Sequence, residues 1–283
     1  MNTKAYCFAG CRIKLLSDTP VYNSKLFDDF RIDDFSETEC DIEISILHSA
    51  LPPKKGNLVF SDSISSYYTQ DGKGYYYTAY PTFGGQTELS CRVTENDKIT
   101  LYVTPGCELW DSLVAFAVNY TQLLFWRKIA TMHSSCIEVN GKAVLFAGNK
   151  GAGKSTQAEL WSRYRSAQII NGDRIALKVS QNGVTAYGIP FCGSSKIALN
   201  RVLDVKAIVL PCKSNTEFVQ RLGTIDAFKR LIGNFTYNSE DPVQTNTAID
   251  IVKHIAENVP VFCLMCRPDE NSVKMLEEQL CKI

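Results

Sequence analysis

The sequence predicts an α/β chain in three parts: an antiparallel β-rich region over residues 1–107, a connecting helix over 108–131, and an alternating β/α region over 132–283. Three features of the pattern predict it. Apolar and polar residues alternate through about the first hundred residues, and the apolar spacing then lengthens to that of a helix. Beyond Ser135, short apolar runs and helical stretches take turns.

In the first part, Ile13 and Leu15 alternate with charged neighbours, and Asp41-Ile-Glu-Ile-Ser-Ile46 places Ile42, Ile44 and Ile46 on one strand face. Gln70-Asp-Gly-Lys73 reads as a turn ahead of Tyr75-Tyr-Tyr-Thr-Ala-Tyr80, a β-prone run. Glu88–Val93 and Ile99–Val103 flank Glu95–Lys98 as a hairpin. These segments predict an antiparallel meander with one face covered. The tyrosines would also suit a surface that stacks sugars or bases, but without interleaved basic residues they fit strand packing better.

Leu109, Leu113, Phe116, Ala117, Tyr120, Leu123, Leu124 and Ile129 recur at helical spacing behind Pro105-Gly106. That predicts one long amphipathic helix joining the two halves. Strands are then predicted at Lys142–Phe146, Ala167–Ile170, Ala186–Ile189, Lys206–Leu210, Phe218–Leu222 and Val261–Met265. Helices are predicted over Thr156–Tyr164, Ile225–Ile232 (capped by Thr224), Thr245–Asn258 and Glu270–Leu280, with a long mobile loop over Gly233–Pro242.

Composition narrows the partners. The chain has 283 residues, 45% hydrophobic and 21% charged, which excludes a disordered chain. Lys+Arg and Asp+Glu each total 30, so no charge excess draws it to nucleic acid or an anionic membrane. The richest apolar stretch, Leu109 to Ala130, carries Asp111, Asn119, Gln122, Arg127 and Lys128 and does not suit a bilayer. Met1-Asn-Thr-Lys-Ala-Tyr-Cys7 lacks the apolar core of a signal peptide, so a cytoplasmic location is expected. The 11 cysteines are scattered and read as reduced thiols packed as small hydrophobes. Cys263-x-x-Cys266 has a metal-like spacing, but strand alternation sends its two ends to opposite faces.

The strongest chemical signal is Gly148-Asn-Lys-Gly-Ala-Gly-Lys-Ser155, which satisfies G-x-x-x-x-G-K-[ST] between a predicted strand and a predicted helix. Glycines at 148, 151 and 153 let the backbone turn where side chains forbid it, bringing successive N–H groups onto phosphate oxygens. The helix start adds unpaired amides and a positive dipole end. The nucleotide-binding set is therefore Gly148, Asn149, Lys150, Gly151, Ala152, Gly153, Lys154, Ser155 and Thr156. Lys154 is expected to reach the β- and γ-phosphates of ATP, and the Ser155 hydroxyl to ligate Mg²⁺. Behind this loop the strand Ala167–Ile170 ends in Asn171-Gly-Asp173-Arg174, where Asp173 is placed to hold the metal or its water. Lys150, Arg174, Lys196 and Arg201 are further candidate cations facing phosphate.

These residues resemble the HPr kinase/phosphorylase-like group, whose catalytic domain shares its fold with phosphoenolpyruvate carboxykinase. His133, Gly148–Ser155 and Gly172-Asp-Arg-Ile175 carry the resemblance, over about residues 130 to 283. Gly188-Ile-Pro-Phe-Cys-Gly193 also resembles a Gly-x-Pro-aromatic loop of kinase-like relatives associated with bacterial peptide-modification gene clusters. The resemblance implies a phosphoenolpyruvate carboxykinase-like P-loop core behind the β-rich region and its connecting helix. It implies catalytic roles for Lys154, Asp173 and His133, with Ser155 and Asp173 on the metal and His133 near the transferring phosphate.

This chain departs from the family at three points. The first of the paired aspartates is Gly172, the acidic residue after the P-loop serine is Thr156, and no Arg-Asn-rich signature of phosphorolysis lies downstream. Phosphorylase activity is therefore not carried over. The expected function is an ATP- and Mg²⁺-dependent kinase acting on a hydroxyl, of a protein or peptide Ser/Thr or of a small molecule. The alternative is a nucleotide-binding regulatory or peptide-maturation partner with little or no transfer. A decarboxylating carboxykinase rests on fold kinship alone. A homo-oligomer is an expectation from the family.

Overall fold

The structure, a computed structural model, describes residues 1–32, 40–82, 85–95 and 98–283. It divides into two compact units, Met1–Tyr120 and Thr121–Ile283.

The first unit contains β1 (Asn2–Phe8), β2 (Cys11–Ser17), β3 (Val21–Tyr22), β4 (Ile42–His48), β5 (Asn57–Ser61), β6 (Ser65–Gln70), β7 (Lys73–Thr82), β8 (Gly85–Glu95), β9 (Lys98–Val103) and β10 (Leu109–Trp110). Eight of these form one sheet in the order β1-β2-β4-β9-β8-β7-β6-β5. The alternation sets its faces as expected, with Ile42, Ile44 and Ile46 all buried. The expected hairpin joins β8 to β9, pairing Glu95 with Lys98, and its tip at 96–97 lies outside the described residues. The expectation of a purely antiparallel meander is corrected: β4 runs parallel to both β2 and β9. Alternation reports which face a residue takes but not the direction of its neighbour. Here long connections carry the chain back to run parallel, as parallel pairing requires. Tyr77 serves strand packing: it is buried edge-to-face on Tyr68, and its hydroxyl donates to the Pro52 carbonyl.

The expected single helix over 108–131 is also corrected. Its residues instead form β10, α1 (Asp111–Val118), α2 (Tyr120–Trp126) and the start of a strand, β11 (Ile129–Val139). Asn119 takes a left-handed conformation (φ 54°) between the two helices, and Lys128 takes another (φ 59°) before the strand. Asparagine enters that region easily; lysine does so at a cost that the surrounding packing must offset.

The second unit continues with β12 (Lys142–Ala147), α3 (Lys154–Arg165), β13 (Gln168–Asn171), β14 (Arg174–Ser180), β15 (Gly183–Tyr187), β16 (Val202–Lys213), β17 (Phe218–Arg221), α4 (Thr224–Leu231), β18 (Phe235–Thr236), α5 (Pro242–Asn258), β19 (Val261–Cys266) and α6 (Glu270–Leu280). It is a mixed α/β unit. The sheet runs β12-β11-β14-β15-β16-β19-β17, with β13 and β18 on β11, and β12 also pairs with β16. Successive residues of β12 serve opposite faces. Val144 and Phe146 pack with Trp161 of α3 and Leu276 of α6. Leu145 packs with Leu231 of α4 and with Val252 and Ile255 of α5.

Three local expectations change here. Gly223, not Thr224, occupies the cap position of α4, and no side chain caps that helix. α5 starts at Pro242 because the Asp241 carboxylate accepts from the Val243 and Gln244 amides. The expected loop over Gly233–Pro242 contains β18, paired with Thr131 and Met132 of β11.

Cys266 packs on the α3/α6 side, whereas Cys263 receives the Arg230 guanidinium of α4, so the two thiols do take opposite faces. Among the described residues no group of three or more His, Cys, Asp or Glu is placed to hold a metal ion. Nor is any helix among them long and apolar enough to cross a membrane.

Candidate active site

Strands β12, β16 and β19 run parallel, so their carboxyl ends share one edge of the sheet. Open α/β sheets bind ligands in the crevice outside that edge. There the chain leaves β12 through the glycine-rich loop and enters α3. Gly148, Gly151 and Gly153 have φ of 138°, 83° and 101°, conformations that side chains rarely tolerate. A Cβ at 151 or 153 would meet nothing within 4 Å, so backbone angle, not crowding, requires glycine there. Gly153 holds the cap position of α3 without a side-chain cap, which leaves the first amides of a 12-residue helix for another acceptor.

Lys154 lies back along the loop, its Nζ donating to the Gly148 carbonyl at 2.8 Å and to the Asn149 carbonyl at 3.2 Å. The start of the loop is held from outside. Asn234, buried at the end of the short 3-10 turn that follows α4, accepts from the Gly148 amide at 2.9 Å and donates to the Arg230 carbonyl at 2.8 Å.

Facing the loop is the turn between β13 and β14. Its organiser is Asn171, fully buried. Asn171 Oδ1 accepts from the Asp173 and Arg174 amides, both at 2.9 Å, and Nδ2 donates to the Ile189 and Phe191 carbonyls at 2.9 and 3.1 Å. These four bonds tie the turn to the Gly188–Gly193 segment and present the Asp173 side chain. One Asp173 oxygen lies 3.4 Å from Arg174 Nε and the other 4.0 Å from His133 Nδ1. The sequence pattern places His133 ahead of a strand; in the structure it sits within β11, paired with Arg174.

One cleft of 890 Å³ takes in residues of both sides: Asp173 and His133, and the whole 148–156 set except Ala152. Of the further cations, Lys150 lines this cleft and Arg174 flanks Asp173. Arg201 is instead paired with Glu138 at 2.9 Å, and Lys196 is exposed outside the lining. Lys213, at the end of β16, enters the lining without any sequence signal, as do Ser194 and Ser195. A lone cation or serine carries no motif. The same holds for Asn171 and Asn234, whose only trace in the sequence is a polar residue at each end of an apolar run.

Ser195 explains how the chain tolerates Gly172. A Cβ at 172 would lie 2.3 Å from both Cβ and Oγ of Ser195, so Ser195 occupies the space a side chain at 172 would need. Ser195 is fixed there by donating to the Cys192 carbonyl at 2.6 Å. Gly172→Asp is therefore expected to destabilise the unit by about 1–3 kcal/mol. Gly172→Asp with Ser195→Gly should recover most of that loss, and a double-mutant cycle in urea denaturation checks the coupling. Gly193 (φ 56°) is likewise closed, because its Cβ would lie 2.9 Å from Asp173 Cγ.

The electrostatics favour a neutral imidazole. The His133 pKa is lowered from its ordinary 6.5 by burial first, then by Arg174 and Lys154, with Asp173 opposing. In the nucleotide-free protein, an NMR titration should place its midpoint below the ordinary value. Arg174→Gln should raise it and Asp173→Asn should lower it further. Because folding depresses this pKa, the unfolded chain binds more protons in the intervening range. The stability linked to His133 is thus present above its unfolded value of about 6.5 and lost as pH falls toward the folded one. Burial also raises the Cys192 pKa, with Asp173 adding to it, so that thiol stays protonated at neutral pH.

No family model and no curated protein matches the chain. Among solved structures, it is similar to the HPr(Ser) kinase/phosphatase from Coxiella burnetii. The two are 16% identical, and the match covers 54% of this chain and 88% of the other at a TM-score of 0.32. At that identity and TM-score the likeness carries no activity over to this chain.

Proposed function

We propose that the chain is an ATP- and Mg²⁺-dependent phosphotransferase on a phosphoenolpyruvate carboxykinase-like P-loop core. It passes the γ-phosphoryl group to a hydroxyl, in a protein or peptide Ser/Thr or in a small molecule. One observation carries this: a glycine-turned loop with Lys154 and Ser155 at a helix start shares a cleft with Asp173 and His133.

The donor set fits Mg²⁺, which takes oxygen ligands, keeps several waters and needs only one or two carboxylates beside phosphate. Ser155 Oγ and an Asp173 carboxylate oxygen would hold it. Bound there, the ion would supply neutralising charge to the β- and γ-phosphate oxygens. The loop amides and Lys154 orient the polyphosphate, and neutral His133 offers a hydrogen bond without adding charge. In the transfer, the acceptor oxygen forms a new P–O bond while the bond from the γ-phosphorus to the β–γ bridging oxygen breaks, and ADP leaves. The hydroxyl proton goes to Asp173 or to water. With a glycine at 172 the chain lacks the first of the paired acids, a general base typically worth about 10²–10⁴-fold, and positioning carries most of the rate.

The test is incubation with γ-labelled ATP and candidate acceptors. Label should move to a hydroxyl in the wild type, and transfer should be lost in Lys154→Ala and Asp173→Asn. Normal transfer by both variants would overturn the assignment. Ser195 filling the place beside Gly172 favours a second reading, nucleotide binding without efficient transfer. Thermal stabilisation by ATP with no labelled product would select it.

A further inference from the structure

At the edge of the second unit's sheet opposite the phosphate loop lies another cleft, of 290 Å³. It opens where the β11–β12 turn meets the last residues of α3 and α6. Helix α3 runs from Lys154 at the phosphate loop to Arg165 at this cleft, 12 residues or about 18 Å. The two clefts share no lining residue. Val139, Trp161, Ala167 and Leu280 give the smaller one apolar walls, and Glu138, Arg165, Lys206 and Glu277 give it charge.

Two donors at this cleft lack a fitting acceptor. Trp161 is 1% exposed, yet its indole N–H has no hydrogen-bond partner among the described residues. Buried N–H groups almost always have one. Lys206 reaches only the main-chain oxygen of Ile283 among those residues, at a long 3.4 Å. The other charges of the lining are paired. Arg165 holds Glu277 through Nε and Nη2 at 2.8–2.9 Å, and Glu138 takes Arg201 at 2.9 Å. Lys206 is therefore the surplus charge, and with the indole N–H it calls for an anionic oxygen. A place for a cation lies close by. Helices α3 and α6 both end at the cleft, in Ser166 and Cys281, and the carbonyl ends of helices favour positive charge.

We infer that the 290 Å³ cleft binds a small zwitterion with an apolar side chain, an α-amino acid. Its carboxylate takes the Lys206 ammonium and the Trp161 N–H, and its ammonium sits at the carbonyl ends of α3 and α6. Its side chain lies among Val139, Ala167 and Leu280. The volume is at the lower end of the range for small-molecule sites, about 300–1,000 Å³, and suits a molecule of leucine's size.

NMR on the full chain labelled with ¹⁵N tests it. The chain has 3 tryptophans, so Trp161→Phe identifies the Trp161 indole signal by its loss. Titration with L-leucine should move that signal in wild type and saturate. Two truncated probes divide the zwitterion: 4-methylpentanoate lacks the ammonium and 3-methylbutylamine lacks the carboxylate. Each should bind about tenfold or more weakly than leucine. Lys206→Met should weaken leucine by a similar factor and leave 3-methylbutylamine unchanged. Cys281→Phe, a change at an exposed position of the lining, should block leucine by filling the cleft; if it fails to fold, Lys206→Met decides. No saturable shift with leucine, a truncated probe that binds as tightly, or leucine affinity unchanged in Lys206→Met overturns the inference. The phosphate cleft stands or falls separately, by transfer from labelled ATP.

Discussion

Lys154→Ala is expected to lower kcat/KM for phosphoryl transfer by about 10²–10³-fold, the usual effect of deleting one preorganised charge-stabilising group. The fold should be left almost untouched. Among the described residues Lys154 bonds only the Gly148 and Asn149 carbonyls, and at the rim of an open cleft water replaces such bonds at little cost. Urea denaturation should therefore superimpose with wild type while steady-state transfer collapses. Lys154→Arg should rescue little, because a planar fork does not reproduce the compact ammonium among the same carbonyls. Asp173→Asn should be as inactive without losing the turn, which the Asn171 side chain holds through backbone amides rather than through the carboxylate.

The largest stability effect is expected at Asn171. Replacing it with alanine strands two amides and two carbonyls in or near a fully buried position. Each buried polar group left unsatisfied costs about 1–3 kcal/mol. A loss of about 3 kcal/mol or more in the unfolding of the carboxy-terminal unit is the expected result. Asn171→Asp separates the contributions. It keeps the acceptor for the Asp173 and Arg174 amides but loses both donations and buries a charge, so it should be no less damaging than alanine. A variant that unfolds like wild type would mean the turn does not depend on this residue.

The loop at 148–155 is legible in the sequence because its chemistry is local: eight consecutive residues specify the turn, the cation and the helix start. Helices α5 and α6 are legible because each has an apolar stripe, although the Asp241 cap that starts α5 at Pro242 falls within the segment expected to be a loop. Strand β11 is not. It is buried along most of its length, polar Thr131, Ser134 and Ser135 included, so it shows no alternation, and Ile129 completes the helical spacing of the segment before it. What separates them is a lysine at positive φ, whose amide closes a turn on the Phe125 carbonyl, and a lysine carries no sequence signal for that conformation. Strand β14 does alternate in part, with Ile175 and Leu177 buried against exposed Lys178. It starts directly behind Asp173, however, where the turn residues mask the strand's first positions. Direction of pairing, as in the parallel β4, depends on where the chain returns and has no local signature.

Gly172 and Gly193 flank Asp173, and neither can take on even a methyl group without displacing Ser195 or the aspartate itself. Substitution at the far end of the cleft is consequently confined to a narrow corridor. A lineage adapting this scaffold to a new acceptor must work through positions 194 and 195 first. Any gain of a second acid beside Asp173 has to arrive after, not before, the serine has made way.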